Sequence, residues 1–422
     1  VRQKLNEIKR ARDWIGINWI GESSTLSGID GVAWYGMRGK NHPKQVSMGE
    51  LDDKIREFYK DLSNALTQQL KNPIIDENEQ LSIPELIKRF VTLYPIKSNL
   101  KANNFPNIEI PNSFQDISRQ KEKDSNNNNE ENCWTGWFQG DGDKIGDYLK
   151  SLVDQGNITE GDALHQFSTA LINWGQNFCK ELPPARDTNQ TDIDKDGRII
   201  YAGGDDFLGV LYRNYNPKLT GRKCLEWFYN FGSIWRKYKD YITSQEMREN
   251  NREITVSVGF IWAAPSVPQR DVLEHGREAE QSAKKNGRDR LAIRILFNSG
   301  NYIEWCCPWR LLKPIMSADV VNWIHFYKDV ATLEARHGFE NQKEVAIALF
   351  DLHFPNLEET LNLADQQEWF NGEKTGILGE KINYQNQDES LDYSKVNNAL
   401  NNWVINLAKV GFHLRENEAE QA

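Results

Sequence analysis

The sequence predicts an α+β protein: a ferredoxin-like β-α-β-β-α-β domain over residues 131–300, flanked by a mainly helical domain at 1–130 and a C-terminal helical bundle at 301–422. Three observations predict it. From Cys133 onward, short β-like runs alternate with amphipathic helical segments. A polar run, KEKDSNNNNEEN, contains no apolar residue to pack and separates this region from the N-terminal one. Beyond residue 300 the apolar residues recur at helical spacing.

Each element has its own signal. MGELDDKIREFYKDLSNALTQQL and IPELIKRFVTLY carry helical periodicity among Gly-, Asn- and Pro-rich loops. WTGWFQGDG reads as a strand ending in acid. Between Asp162 and Leu182, the residues Leu164, Phe167, Leu171, Trp174, Phe178 and Leu182 fall at spacings of three and four, a helix with one buried face. RIIYAGGDDFLGVLYR reads as two strands joined by a tight turn, because Gly203 and Gly204 tolerate positive φ between β-branched and aromatic flanks. A second helix is expected from Cys224 to Tyr241, with Leu225, Phe228, Phe231, Trp235 and Tyr238 on one side, and ITVSVGFIWA supplies the next strand. In the ferredoxin-like arrangement the first strand and the central hairpin are sheet neighbours, with both helices on one face. VVNWIHFYKDVATLEAR, KEVAIALFDLHF and VNNALNNWVINLAKVGF are the clearest C-terminal helices, and no fixed-period repeat is present.

Composition excludes several function classes. A chain of 422 residues has room for two or three domains, and 39% apolar residues with 14 Trp mark a folded chain rather than a disordered one. There is no run of eighteen apolar residues, and VRQKLNEIKRARDW has no signal-peptide character. No membrane association is therefore expected, and a cytoplasmic setting is the default. The chain opens on Val1, which predicts a fragment or a processed chain. Five cysteines with no CxxC pair speak against a disulfide framework and against zinc. The net charge of -10 repels polyanions, so contact with RNA is expected through a local basic patch or partner subunits.

The chemistry gathers on two acidic motifs. Asp141 and Asp143 end the first strand, and Asp205 and Asp206 lie in the hairpin turn that the topology brings beside it. Oxygen ligands of this kind suit two Mg²⁺ or Mn²⁺ ions, which activate an attacking hydroxyl and stabilise a leaving pyrophosphate, as in a nucleotidyl-polymerising palm. Gly142, Gly203 and Gly204 leave room for a nucleotide near the backbone. Ordinary acidic turns are the alternative for either motif alone. Lys284, Lys285, Arg288 and Arg290 close a predicted helix capped by Gly287. Lys284 and Arg288 are read as triphosphate contacts, Lys285 and Arg290 as complements to the helix dipole.

Other motifs read as structural. TDIDKDGR starts like a calcium loop, but its twelfth place is Gly203, so a solvated hairpin loop is expected. No HExxH and no His-Asp dipeptide occurs. His165 is expected to be structural, and the vicinal Cys306 and Cys307 buried.

DGDKIGDYL, YAGGDDFLGVLY and VSVGFIWAAPSVPQRDVLEHGREAEQSAKKNGRDRLAIRI, in that order, resemble the second palm domain of the large subunit of type III CRISPR effector complexes, particularly the III-B or Cmr type. IPNSFQDIS upstream is also similar to a family segment. The resemblance implies synthesis of cyclic oligoadenylates from ATP when the complex binds target RNA. It implies Asp141, the Gly142 carbonyl and Asp205 as metal ligands, and Asp143 and Asp206 as supporting or alternate ligands. It also implies other effector subunits as partners, with guide RNA and target RNA met mainly through the complex. GESSTLSGIDGV and NEQLSIPELIKRF correspond to the family's zinc-binding region but hold no cysteine, so zinc is not expected. Neither the HD nuclease domain nor the first palm of many family members is visible, so the acids are expected to form half of a two-palm site. Two rivals remain: a diguanylate-cyclase-like enzyme, which predicts Glu where Phe207 follows Asp206, and a scaffold subunit that binds nucleotide without turning it over.

Overall fold

The structure, a computed structural model, describes residues 24–25, 31–33, 48–70 and 74–91, isolated positions from 93 to 99, and residues 133–415 except 155–157, 185–194, 214–216, 245–246, 248–252, 319–320, 341 and 358. KEKDSNNNNEEN, IPNSFQDIS, Asp192 and Asp194 lie outside the described residues. The chain forms two compact units, Val1–Phe114 and Gln115–Ala422.

In the first unit, α1 (Met48–Leu70) and α2 (Ile83–Phe90) follow the helical periodicity of the sequence. Ile55 and Tyr59 of α1 are buried with Val32, Ile75 and Leu81 in a small core, and the Tyr59 hydroxyl donates to the Leu81 carbonyl at 2.5 Å. The segments likened to a zinc region meet through hydrogen bonds. Thr25 N–H donates to Gln80 O (2.9 Å), and Glu85 Oε2 accepts from Ser24 Oγ (2.5 Å) and Ser82 N–H (2.6 Å).

The second unit is built on a six-stranded sheet of order β2-β3-β1-β4-β5-β6. Its elements run β1 (Thr135–Gly142), α3 (Ile145–Asp154), α4 (Glu160–Phe178), β2 (Arg198–Ala202), β3 (Phe207–Leu211), α5 (Gly221–Phe228), α6 (Phe231–Arg236), β4 (Val256–Ala263), α7 (Gln269–Lys285), β5 (Arg290–Leu296) and β6 (Tyr302–Pro308). The first four strands have the predicted ferredoxin-like order, with β1 antiparallel to both β3 and β4. The sheet then continues: β5 joins β4 in parallel by way of α7, and β6 returns antiparallel.

Both faces of the sheet are covered, which is why β4 and β5 are buried at every position and read as nearly continuous apolar runs. On one face Phe138, Phe207, Phe260 and Ile293 pack with Phe167, Trp174, Phe178, Phe228 and Trp235 from the α4, α5 and α6 side. On the other, Trp137, Val210, Ile261 and Ala292 meet Val272, Ala279 and Ala283 of α7.

Local details differ from expectation for identifiable reasons. On α4 the buried stripe is Ala163, Phe167, Ala170, Leu171, Trp174 and Phe178, while Leu164 is exposed, because Ala163 rather than Leu164 is in phase with Phe167 and Ala170. The helix expected over Cys224–Tyr241 breaks at Tyr229 and Asn230 into α5, α6 and a 3₁₀ turn, Lys237–Tyr241, yet all five of its predicted core residues are buried.

The expected boundary at residue 300 falls inside the β5–β6 hairpin. The C-terminal helices α8 (Trp309–Met316), α9 (Trp323–Ala335), α10 (Lys343–His353) and α11 (Tyr393–Leu414) share the compact unit and its larger core. Trp403 of α11 donates its indole N–H to Cys306 O at 2.9 Å and lies 5.4 Å from Trp305, ring to ring. Of the helices predicted as a bundle, α11 thus covers the last strands of the sheet, and α9 and α10 pack on α11.

Phe207 links this core to the hairpin tip. Its ring, 1% exposed, lies 5.4–5.7 Å from those of Phe178, Phe231 and Trp174. Phe207→Ala is expected to cost ~3–5 kcal/mol by removing a fully buried aromatic ring, with Phe207→Leu recovering part of it, as thermal melts of the two variants will show.

Candidate active site

Register decides where the acids meet. Gly140 of β1 is opposite Phe207, the first residue of β3, so the turn before Phe207 comes level with Asp141. That turn closes through Gly203 N–H to Asp206 O at 3.2 Å, and Gly204 takes φ 125°, a conformation that favours glycine. As a result one carboxylate oxygen each of Asp141, Asp205 and Asp206 lie within 4.8 Å of one another.

A cation reaches them from α7, the helix on the Trp137 face of the sheet. α7 lies close on β4 because Gly259 has no side chain: a Cβ there would stand 2.4 Å from the Glu280 amide nitrogen. The last turn of α7 then carries Lys284 onto the Asp141 carboxylate, while Glu280 holds the same ammonium at 2.6 Å. Glu280 was not singled out in the sequence, although its place one turn before Lys284 was visible there.

The cluster is overloaded with negative charge. Four carboxylates face one ammonium. Burial, then the neighbouring Asp141, push the Asp205 carboxyl above its usual range, and backbone hydrogen bonding only partly offsets this. Asp206 is pushed up to about 6, first by burial and then by contact with Asp141 and Asp205. Burial works against the charge on Lys284, but its bonds to Asp141 and Glu280 outweigh that and hold its pKa high. Carboxylate oxygens alone, with one oxygen from each of three residues converging, fit a hard divalent cation such as Mg²⁺ or Mn²⁺.

Asp143 does not join them. It is 5% exposed, and its carboxylate accepts from Thr255 Oγ1 (2.8 Å), Ser257 Oγ (2.7 Å) and the Asp289 N–H (3.1 Å). β1 ends at Gly142 and Lys144 takes φ 53°, so the strand alternation that would align Asp143 with Asp141 is broken. Asp143 pins the end of β1 to β4 instead. Gly142 likewise answers to the core, because a Cβ there would meet Ile145 Cδ1 at 2.7 Å and Trp235 Cζ2 at 3.1 Å. At Gly203 the space beside the backbone is taken by Tyr201, whose hydroxyl a Cβ would meet at 2.4 Å, whereas the space beside Gly204 is open.

The other basic residues separate. Arg288 makes no ion pair among the described residues, while Arg290 is fully buried and donates to the Arg288, Gly376 and Ile377 carbonyls at 2.9, 2.9 and 3.1 Å. Arg290 is therefore a clamp on backbone carbonyls, and the helix-dipole reading does not describe it. Lys285 is exposed. Gly287, Arg288 and Asp289 all have positive φ (114°, 64° and 51°), a costly run for the two non-glycine residues at ~1–2 kcal/mol each. A pocket of about 300 Å³ opens beside this turn, with Asp143, Lys144, Arg288, Asn371, Lys374 and Thr375 among its lining residues.

The residues read as structural also find places. Asp196, from the calcium-like loop, is buried and paired with Arg213. His165 is exposed on α4, so it packs no core. Cys307 is buried and Cys306 half-buried. Burial pushes the Cys306 thiol up to about 12 and Cys307 well above the usual range.

A palm-like sheet with three converging carboxylates at the β1 end defines the class: an acidic palm domain. Residues 135–292 match the family model of the Cas10/Cmr2 second palm domain, a match that covers β1 to β4 and α7 and stops within β5. Among solved structures, a Csm1–Csm4 cassette in complex with one ATP matches at 16% identity and TM-score 0.31, over 67% of this chain and 36% of that one. A Csm1–Csm4 cassette in complex with cA4 matches at 16% and 0.29 (67% and 37%), and Csm1 in T. onnurineus at 14% and 0.31 (65% and 37%). The chain spans little more than a third of the length of these chains. No curated protein matches it, and no described helix is long and apolar enough to cross a membrane.

The charge excess has a measurable consequence. Asp205 and Asp206 bind protons more tightly folded than unfolded, so their contribution to metal-free stability is present at acid pH and lost as pH rises, for Asp206 through about 6. A divalent ion replaces the missing protons. Mn²⁺ at a hundredfold excess over its Kd at about pH 7.5 is expected to add about 2.7 kcal/mol there, and the same Mn²⁺ concentration clearly less at about pH 5, where protons compete for the carboxylates. Asp206→Asn is expected to raise the metal-free Tm at the higher pH and to shrink the Mn²⁺ shift. Thermal melts with and without Mn²⁺ at both pH values check this.

Proposed function

We propose that this chain carries the nucleotidyl-transfer centre of a large subunit of a type III CRISPR effector complex, and that it makes cyclic oligoadenylates from ATP when the complex binds target RNA. The observation that carries the reading is the convergence of Asp141, Asp205 and Asp206 within a segment matching the Cas10/Cmr2 second palm. Fold alone would not carry it, since palm-like sheets serve many functions. Other effector subunits, guide RNA and target RNA are the partners in this proposal. The net charge of -10 favours RNA contact through the complex.

Each side chain has a part. Asp141, Asp205 and Asp206 hold two divalent ions, Mg²⁺ or Mn²⁺, which when bound make the ribose 3′-hydroxyl a better nucleophile and offset charge on the leaving pyrophosphate. Lys284, tethered by Glu280, exchanges its bond to Asp141 for a phosphate oxygen. Arg288 offers a guanidinium to the same triphosphate. The open space beside Gly204 admits the nucleotide to the hairpin backbone. Asp143 holds the β1 end in place through Thr255 and Ser257. The III-B assignment rests on the sequence resemblance alone.

The test is product analysis. The reconstituted complex, given target RNA, Mn²⁺ or Mg²⁺ and labelled ATP, is expected to yield cyclic oligoadenylates. Asp205→Ala/Asp206→Ala is expected to lower the yield ~100-fold or more, because losing metal-held charge stabilisation costs several kcal/mol. A GTP dimer instead would assign a diguanylate-cyclase-type activity. ATP binding with no product would assign a silent scaffold.

A further inference from the structure

The turn Gly287–Arg288–Asp289 is strained, and a distant part of the chain holds it. The loop from Asn371 to Glu380 lies against the turn from Asn286 to Arg290. Asn371 Nδ2 donates to Gly287 O at 2.8 Å, and Thr375 Oγ1 donates to Asp289 Oδ2 at 2.5 Å. Arg290 grips Gly376 and Ile377 from beneath. The fit is close enough that a Cβ on Gly379 would stand 1.8 Å from the Asn286 carbonyl oxygen.

The far side of the turn reaches the catalytic strand. The Asp289 N–H donates to Asp143 Oδ2, and the Asp143 N–H donates to Thr255 O at 2.8 Å. Thr375, Asp289 and Asp143 therefore form one continuous chain of hydrogen bonds, from the C-terminal loop to the residue two places past Asp141. Next to Asp289 in the turn is Arg288, which has no ion partner among the described residues and lines the same pocket as Lys144 and Lys374. A guanidinium on a backbone that favours glycine holds its direction only if something fixes that backbone.

We propose that the Asn371–Glu380 loop is a strap that positions Arg288 for a nucleotide polyphosphate, with Thr375 as its principal positioning residue. This rests on the nucleotide reading above. Thr375 touches no substrate and acts through Asp289. Removing its hydroxyl leaves the Asp289 carboxylate without that donor and frees the turn to relax, which moves Arg288 while leaving Asp141, Asp205 and Asp206 where they are.

Four forms of the full chain test this: Thr375→Val, Thr375→Ser, Arg288→Ala and the double variant Arg288→Ala/Thr375→Val. Amide exchange across 284–292 and affinity for ATP in the presence of Mn²⁺ are measured on each. Thr375→Val is expected to speed exchange in the turn and to weaken ATP about tenfold, with the Mn²⁺-induced Tm shift unchanged. Thr375→Ser, which keeps the hydroxyl, is expected to restore both. In the Arg288→Ala background, Thr375→Val is expected to weaken ATP no further, since its effect passes through Arg288. The proposal is overturned by unchanged exchange in Thr375→Val, or by an ATP loss that persists in full without Arg288. If the unsubstituted chain binds no ATP, the nucleotidyl-transfer reading fails, and exchange in Thr375→Val still decides whether the strap holds the turn.

Discussion

Three carboxylates whose oxygens lie within 4.8 Å of one another repel, and the surrounding structure is the means of keeping them there. Held on loops alone, Asp141, Asp205 and Asp206 would separate until water and salt screened them. They stay because the strand and the hairpin that carry them are attached to parts that cannot yield. Asp141 is inside β1, hydrogen-bonded between β3 and β4. Asp206 precedes Phe207, whose ring is locked in the aromatic core. Burial first, and then this repulsion, raise the pKa of Asp205 and Asp206, and one ammonium, Lys284, relieves only part of it. A site that stores repulsion in this way is prepared for added positive charge.

The division of labour around the cluster derives from the sheet. Strand register sets the separation of Asp141 from the hairpin acids, and α7, packed on the Trp137 face of the same strands, sets the approach of Lys284. Asp143 and Gly142, which adjoin Asp141 and look equally functional, serve the frame: one ties β1 to β4 through two hydroxyls, the other lets Trp235 and Ile145 pack beneath the strand end. A motif such as DGD thus places one carboxylate, Asp141, in the acidic cluster and two residues that hold the strand end beneath it.

Much of this was legible in the sequence, and each part that was not has its own physical cause. The order β-α-β-β-α-β was readable because each segment shows its own period, and the acidic clusters because topology alone brings residue 141 to residue 205. Lys284 was readable as part of the same site. DGD presents Asp143 beside Asp141 as a supporting or alternate ligand, and only the turn at Lys144, φ 53°, shows why its carboxylate lies apart from the cluster. The fifth and sixth strands were missed because RLAIRIL, buried on both faces, lacks alternation, and YIEWCCP precedes helices that drew attention to the C-terminal region as a separate bundle. Leu164 was placed inside for being apolar and near the right phase, when the smaller Ala163 and Ala170 were the ones that let α4 pack closely.

Arg290 shows why the C-terminal region cannot be treated as an appendage. A fully buried guanidinium without a carboxylate partner is tolerable only when its N–H groups find carbonyls, and two of the three it uses come from Gly376 and Ile377. The first residue of β5 is thus satisfied by a loop more than eighty residues further on, and the same loop meets the turn that carries Arg288. The matched segment ends at residue 292, so it includes Arg290 but not the carbonyls that Arg290 needs. Physically, the folded unit is larger than the matched segment: the three clustered carboxylates and Lys284 all fall within residues 135–292, whereas the turn that carries Arg288 is held by the Asn371–Glu380 loop.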